Sequence, residues 1–451
     1  MVLPFSYGVD LTWLQANNSY YSQTNYRFNV MKVELAYGSG FLAVDLPFKN
    51  IEIISPAYTP AINNEKDSFF KALSHPIGAL PLLEWIRPGD KICIVFSDIT
   101  RPTPNHKLIP WLLEYLSDVS RTRITLVNAT GTHRPATRSE LETLLTPAVL
   151  RDYTVINHDC RDKNSLRVIG KTGKNLTVSV NESFISAEVK IISGFIEPHF
   201  FAGFSGGPKG IMPGVSGLET ILHNHRAENI ASPYATFGIT EGNPLWEEIR
   251  DAAVMAGPAF LINVTLNNKK ELTGFYCGHL IDAHKAGCAH VKQASMVQVH
   301  EAFDVVITSN NGFPLDLNLY QGVKGMAAAA RIVKPGGLII LACECRDGVP
   351  SGSPYEYLLQ SVASPDELLR KVLSESSVYP EQWQAQIQAQ IQKKAKVMVY
   401  SSLPDAVLEK MKLIPCHDIA VAVEEHLRHI GSDARIAVLP FGPVTVPYLG
   451  E

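Results

Sequence analysis

The chain has 451 residues, 46% of them hydrophobic and 19% charged, with a formal charge of −4 and a pI near 6.4. That length supports two or three domain-sized cores, and the slight acidity argues against a nucleic-acid-binding surface. No apolar run reaches about eighteen residues, and no basic segment leads into an apolar one at the start, so neither a membrane span nor a secretory leader is expected.

Seven cysteines at scattered positions suit reduced thiols in a cytoplasm. Residues 1–30 are polar and aromatic without a helical or strand period, and read as a poorly ordered N-terminal extension. A strand pattern starts at Met31. Further strands are predicted at 41–45, 92–96, 124–127, 153–156, 189–193 and 260–266, with helices near 106–118, 138–149, 218–229 and 245–256. After a linker helix at 281–302 a second series opens. Its strands fall at 304–308, 337–342, 397–401 and 435–440, with helices near 316–332, 354–361, 365–375 and 382–393. Pro335-Gly336-Gly337 reads as the turn into one of those strands. Glutamine-rich 382–392 reads as an amphipathic helix on the spacing of Trp383, Ile387 and Ile391. Most strands are unbroken Val/Ile/Leu runs, as in parallel sheets covered on both faces. The expected architecture is therefore α/β, with two doubly wound Rossmann-like domains at 31–285 and 286–451 and the active site in the cleft between them. The last ten residues are expected to pack back on the first domain.

Four strand-to-loop transitions carry chemistry. The 92–96 strand feeds Ser97-Asp98-Ile99-Thr100-Arg101-Pro102, and the 124–127 strand feeds Thr130-Gly131-Thr132-His133-Arg134-Pro135. The 189–193 strand feeds the run from Gly194 to Gly210, in which His199 and Lys209 bracket a stretch rich in glycine. Bare backbone of that kind lets an anion approach closely. His225 follows sixteen residues after Lys209. In the second series, the 304–308 strand leads to a polar loop and a helix on which Tyr320, Gln321 and Lys324 share or adjoin one face. Ligands in open α/β sheets bind at such carboxyl ends.

Together these segments resemble the nickel-pincer lactate racemase family. The resemblance implies a 2-hydroxy-acid racemase or epimerase that works by hydride transfer through a 2-keto acid. It implies as cofactor a nickel-pincer nucleotide, a nicotinic acid mononucleotide bearing two thio-acid groups that clamp nickel. Lys209 would tether that cofactor covalently and His225 would complete the nickel ligands. His133 and His199 would be the two proton-transfer bases. Arg101 and Lys324 would hold the substrate carboxylate, with Gln321 and Tyr320 beside them, and Asp98 would orient Arg101 or a histidine. Thr100, Gly131 and the backbone of Ser205, Gly206 and Gly207 would hold phosphate and ribose. Implied partners are the small 2-hydroxy acid and the proteins that synthesise and insert the nickel nucleotide.

The residues themselves agree with inversion. A racemase must accept a hydroxyl proton from either enantiomer, so it needs a base on each side, and histidine titrates near neutrality. Two rival functions are a nicotinamide-dependent oxidoreductase, disfavoured by the lack of a Gly-x-Gly-x-x-Gly turn after a strand, and a non-catalytic cofactor carrier, disfavoured by the presence of both histidines. A zinc site among Cys277, His279, His284, Cys288 and His290, with Cys343 and Cys345 further on, matches no ordinary spacing.

Overall fold

The computed structural model describes residues 30–374 and 378–450. The extension at 1–29 lies outside the described residues. The strand Ile92–Ser97 shows why its neighbours form a buried parallel sheet: Cys93 and Val95 enter one apolar cluster while Ile92, Ile94 and Phe96 enter another. Alternate side chains point to opposite faces, and here both faces are covered.

The first sheet runs, in spatial order, Leu272–His279, Phe260–Leu266, Val189–Phe195, Ile92–Ser97, Ile124–Ala129 and Thr154–Asn157. All are parallel except Leu272–His279, which turns back antiparallel on Phe260–Leu266. The chain leaves Ile92–Ser97 toward one edge and later returns to its other side at Val189–Phe195. This reversal creates the crevice in which doubly wound sheets bind ligands. The second sheet runs Ile414–Pro415, Lys396–Tyr400, Val333–Ala342, Phe303–Ser309, Ile436–Leu439 and Ile51–Ile53, all parallel. One apolar cluster holds Val95 and Ile192 of the first sheet together with Val306 and Ile339 of the second. The two sheets therefore share a core.

Several expectations shift. Residues 31–54 fall in the first unit by the sequence expectation, yet the hairpin Met31–Tyr37 with Gly40–Leu46 packs in the core of the second sheet, and Ile51–Ile53 is that sheet's edge strand. The single helix at 138–149 is two, Arg138–Leu145 and Pro147–Asp152. They break at Thr146, whose φ of 84° precedes a proline that opens the second helix. The 218–229 helix likewise divides into Leu218–Asn224 and Ala227–Ile230, which leaves His225 at a helix end. The linker helix stops at Ser295. Met296–Val299 then pairs with Val446–Leu449, so the C-terminal tail docks on the connecting segment. Slightly earlier in the tail, Pro443 stands beside Pro198, His199 and Phe200 of the first unit. Pro335 to Gly337 lie inside the strand Val333–Ala342, at an irregularity of its pairing. The glutamine-rich helix Gln382–Lys394 has no solvated polar face: Gln382, Gln384, Gln386 and Gln388 are all buried. The Gln384, Gln386 and Gln388 amides bond to the Tyr320, Ala227 and Met411 carbonyls and the Tyr355 hydroxyl, and Gln382 Oε1 accepts the Tyr379 N–H, which is how a polar face can be buried.

Candidate active site

The first loop is braced before it does anything else. Ser97 Oγ donates to Thr103 Oγ1, and Asn105 donates back to the Ser97 carbonyl at 2.8 Å. This fixes Asp98, only 5% exposed, with Oδ1 accepting from Thr100 Oγ1 at 2.7 Å and Oδ2 against His133 Nδ1 at 2.7 Å. Burial pushes the Asp98 pKa up, but the charge and hydrogen bond of His133, with Arg101 and Thr100, outweigh it and leave the group below its ordinary value. Asp98 is therefore an anion that takes the Nδ1 proton of His133 and leaves Nε2 unengaged by it. Thr100 meets the site through its bond to Asp98.

His199 is held differently. Its Nδ1 accepts the backbone N–H of Ala202 at 3.3 Å and that of Phe201 at 3.5 Å, and its ring lies against Phe200 and Phe201. Burial, followed by the positive charges of Lys209, Lys324 and Arg101, drives its pKa well below that of a free histidine. Arg101 Nη1 is 3.3 Å from Glu197 Oε1, a buried carboxylate in the middle of this cationic group.

Lys209 sits in the short turn Gly207–Gly210, its Nζ 5.6 Å above the Phe201 ring. Burial, then the nearby Arg101, lowers its pKa to about 7 against the pull of Glu197. A large share of this amine is thus uncharged at neutral pH and nucleophilic. His225 donates Nδ1–H to the Ile221 carbonyl at 3.0 Å and is flanked by Phe201 and Trp383, ring centroids 5.3 and 4.5 Å away. Burial keeps it neutral, with a pKa of about 3, so Nε2 presents a lone pair.

One cavity collects Asp98, Arg101, Gly131, His133, His199, Ser205, Gly206, Gly207, Lys209, His225 and Tyr320. Gln321 and Thr100 face a neighbouring cavity of about 570 Å³ that shares Asp98, His133 and Tyr320 with the first. Lys324 lies behind His199, beside Glu197; its buried Nζ has no hydrogen-bond partner among the described residues and its pKa falls to about 7, chiefly through burial. Tyr320 OH accepts the Trp383 indole N–H at 3.0 Å, tying the second unit to the ring that flanks His225.

Part of the backbone expected to hold phosphate and ribose is engaged within the protein. Ser205 N–H is spent on the Glu197 carbonyl and Gly207 N–H on Asn263 Oδ1, while Gly131 N–H goes to the Gly214 carbonyl. Those residues shape the wall, and their amides are already satisfied. Among the described residues no three His, Cys, Asp or Glu side chains converge on a metal-sized point. His279 pairs instead with Asp282, and His284 bonds to the Ser205 carbonyl.

Sequence reasoning passed over Glu197, Ser193, Asn263 and Trp383. Ser193 and Asn263 are buried polar residues inside apolar strands, both lining the cavity, and Ser193 Oγ has no hydrogen-bond partner among the described residues. A lone polar residue interrupting a buried strand was the available signal.

The fold and this site define an α/β enzyme whose reactive side chains converge at the carboxyl ends of its strands. Comparison with known proteins agrees. A family model described as the lactate racemase N-terminal domain matches residues 37–238, and one for the lactate racemase C-terminal domain matches 298–446. The chain is 36% identical over 417 residues to a lactate racemase of Thermoanaerobacterium thermosaccharolyticum, covering 91% of this chain and 97% of that one. It is 37% identical over 383 residues to the lactate racemase of Lactiplantibacillus plantarum, covering 84% and 90%. The solved lactate racemase apoprotein from T. thermosaccharolyticum superposes with a TM-score of 0.86 at 34% identity, over 92% of this chain and all of that one. A Thermotoga maritima protein shares the fold, with a TM-score of 0.69 at 18% identity over 85% of this chain and 98% of that one. The chain belongs to the lactate racemase family.

Proposed function

We propose that this chain interconverts the enantiomers of a 2-hydroxy acid, lactate first among them, with a nickel-pincer nucleotide tethered at Lys209. The observation that carries the reading is the convergence on one cavity of two histidines in unlike settings, His133 on a carboxylate and His199 among cations, with Lys209 and His225.

The residues present fit the cofactor. Lys209 offers a buried amine of lowered pKa, 5.6 Å over the Phe201 ring, the neutral nucleophile that an acyl-type linkage requires. His225 offers one imidazole nitrogen whose ring is fixed through the other. One protein ligand suits a metal that arrives with its remaining donors. When bound, the cofactor would supply the hydride acceptor for the substrate's C2 hydrogen. Arg101 would pair with the substrate carboxylate through its guanidinium fork, with the positive field of Lys324 behind it. His133 would take the hydroxyl proton of one enantiomer at Nε2, its imidazolium stabilised by Asp98. His199 would serve the opposite enantiomer, each histidine acting as acid where the other is base.

The seven cysteines are unpaired and buried, which suits a reducing cytoplasm, where the proteins that make and insert the nucleotide would act. The test is chiral chromatography of lactate and larger 2-hydroxy acids with protein expressed alongside, and without, those proteins. Conversion of no 2-hydroxy acid by the loaded protein, or conversion that requires free NAD(P), would overturn the proposal.

A further inference from the structure

His284 and Asn263 lie outside every role assigned so far, yet both press on the turn that carries Lys209. Gly206 and Gly207 have φ of 75° and 53°, a left-handed pair that side chains rarely adopt. A Cβ on Gly207 would sit 2.4 Å from the His284 ring, and one on Gly206 would sit 2.6 Å from Asn263 Oδ1. The same two side chains bond to the turn they crowd. Asn263 Oδ1 accepts Gly207 N–H at 2.7 Å, and His284 donates Nε2–H to the Ser205 carbonyl at 2.9 Å. Both are fully buried, so neither contact is exchanged readily for water.

They come from separate elements. Asn263 interrupts the apolar strand Phe260–Leu266, and His284 projects from the helix Asp282–Ser295, its ring stacked on Trp246. A strand and a helix thus grip one turn from two sides, and the chain emerges with Lys209 directed into the cavity. The Asn263 carbonyl oxygen and the His284 N–H replace the contacts that an ordinary turn makes with solvent.

We propose that Asn263 and His284 are positioning residues that clamp the Ser205–Gly207 turn and so aim the Lys209 amine. The proposal deepens the tether reading but needs no cofactor to be tested. Reductive methylation of the cofactor-free full chain with formaldehyde and cyanoborohydride would be followed at the Lys209 peptide by mass spectrometry, with exposed lysines as internal controls. The amine condenses with the aldehyde, releases water, and the imine is reduced by the cyanoborohydride. In the unmodified chain Lys209 should react faster near pH 7 than the exposed lysines.

Asn263→Ala and His284→Ala should each slow Lys209 by about tenfold, the equivalent of about 1.4 kcal/mol, and move the midpoint of its pH–rate profile up toward an ordinary lysine. His284→Gln, which keeps an N–H for the Ser205 carbonyl, should restore much of the rate. Should the alanine variants fail to fold, His284→Gln, which retains one bonding atom, must keep the fast reaction. Unchanged rate and midpoint in the folded alanine variants would overturn the clamp, as would loss of the fast reaction in His284→Gln. A loaded enzyme that racemises nothing while Lys209 labels as described would sink the activity and leave the clamp standing.

Discussion

Asp98→Asn is the most informative single change. It preserves shape and removes the charge that faces His133 Nδ1 at 2.7 Å. When His133 takes a proton, two unit charges face each other with centres about 4 Å apart, an attraction of about 4 kcal/mol at an effective dielectric near 20. The His133 side chain is 25% exposed against 7% for Asp98, so roughly half of that, about 2 kcal/mol, survives solvent screening. At about 1.4 kcal/mol per tenfold, kcat should fall about 30-fold. The assay is initial rates from each enantiomer by chiral chromatography, with bound nickel and the covalent adduct measured on the same samples. Enantiomers have equal free energy in achiral solvent, so kcat/KM must fall by one factor in both directions. The double variant Asp98→Asn, His133→Ala should be no slower than His133→Ala alone, because contacting residues couple. An Asp98→Asn enzyme within threefold of the unmodified rate, or losses that add in the double variant, would refute the pairing.

Lys209→Ala should abolish the adduct that intact-mass measurement finds on cofactor-loaded protein; an equal adduct in the variant would remove Lys209 as the tether. Losing the His225 ring should lower bound nickel, whereas His133→Ala and His199→Ala should keep the metal and lose activity by on the order of 10²–10⁴-fold. If either of those variants sheds nickel as His225→Ala does, ligand and base roles are wrongly divided. Stability should fall in acid: His199, His225 and His284 are all held below the ordinary histidine value by burial, the last two at about 3 and about 4. The unfolded chain therefore binds more protons than the fold below about pH 6.5, and stability drops as pH falls through that point toward the folded values. Urea melts at pH 7 and pH 5 would check this. His225→Ala should flatten the slope by about one proton, and an unchanged slope would contradict the burial argument.

Much of the site was legible because its chemistry sits where strands end. Asp98, His133 and His199 are reactive residue types placed directly after apolar runs, and position along the chain alone sends them to one edge. Asn263 and His284 were harder to read, since a buried asparagine and a helical histidine announce burial without naming what they touch. The glutamine helix misled for a related reason: its acceptors and donors at Tyr320, Ala227, Tyr355 and Met411 belong to four distant segments, which local periodicity cannot register. Ile51–Ile53 escaped because three residues carry no period, and its meaning lies wholly in its partner strand.

That edge strand also governs how the protein can be made. Asn50 and its carbonyl partner Asp433 are 383 residues apart, and Ile51–Ile53 pairs with Ile436–Leu439. At synthesis rates of about 5–20 residues per second, the early strand waits roughly 20–80 s for its neighbour to be translated. During that interval Ile51–Ile53, with Ile53 exposed even in the finished fold, has no neighbouring strand to pair with. A ribosome that stalls before Ile436–Leu439 has emerged therefore leaves the second sheet open along Phe303–Ser309, with its first-made strand unclaimed.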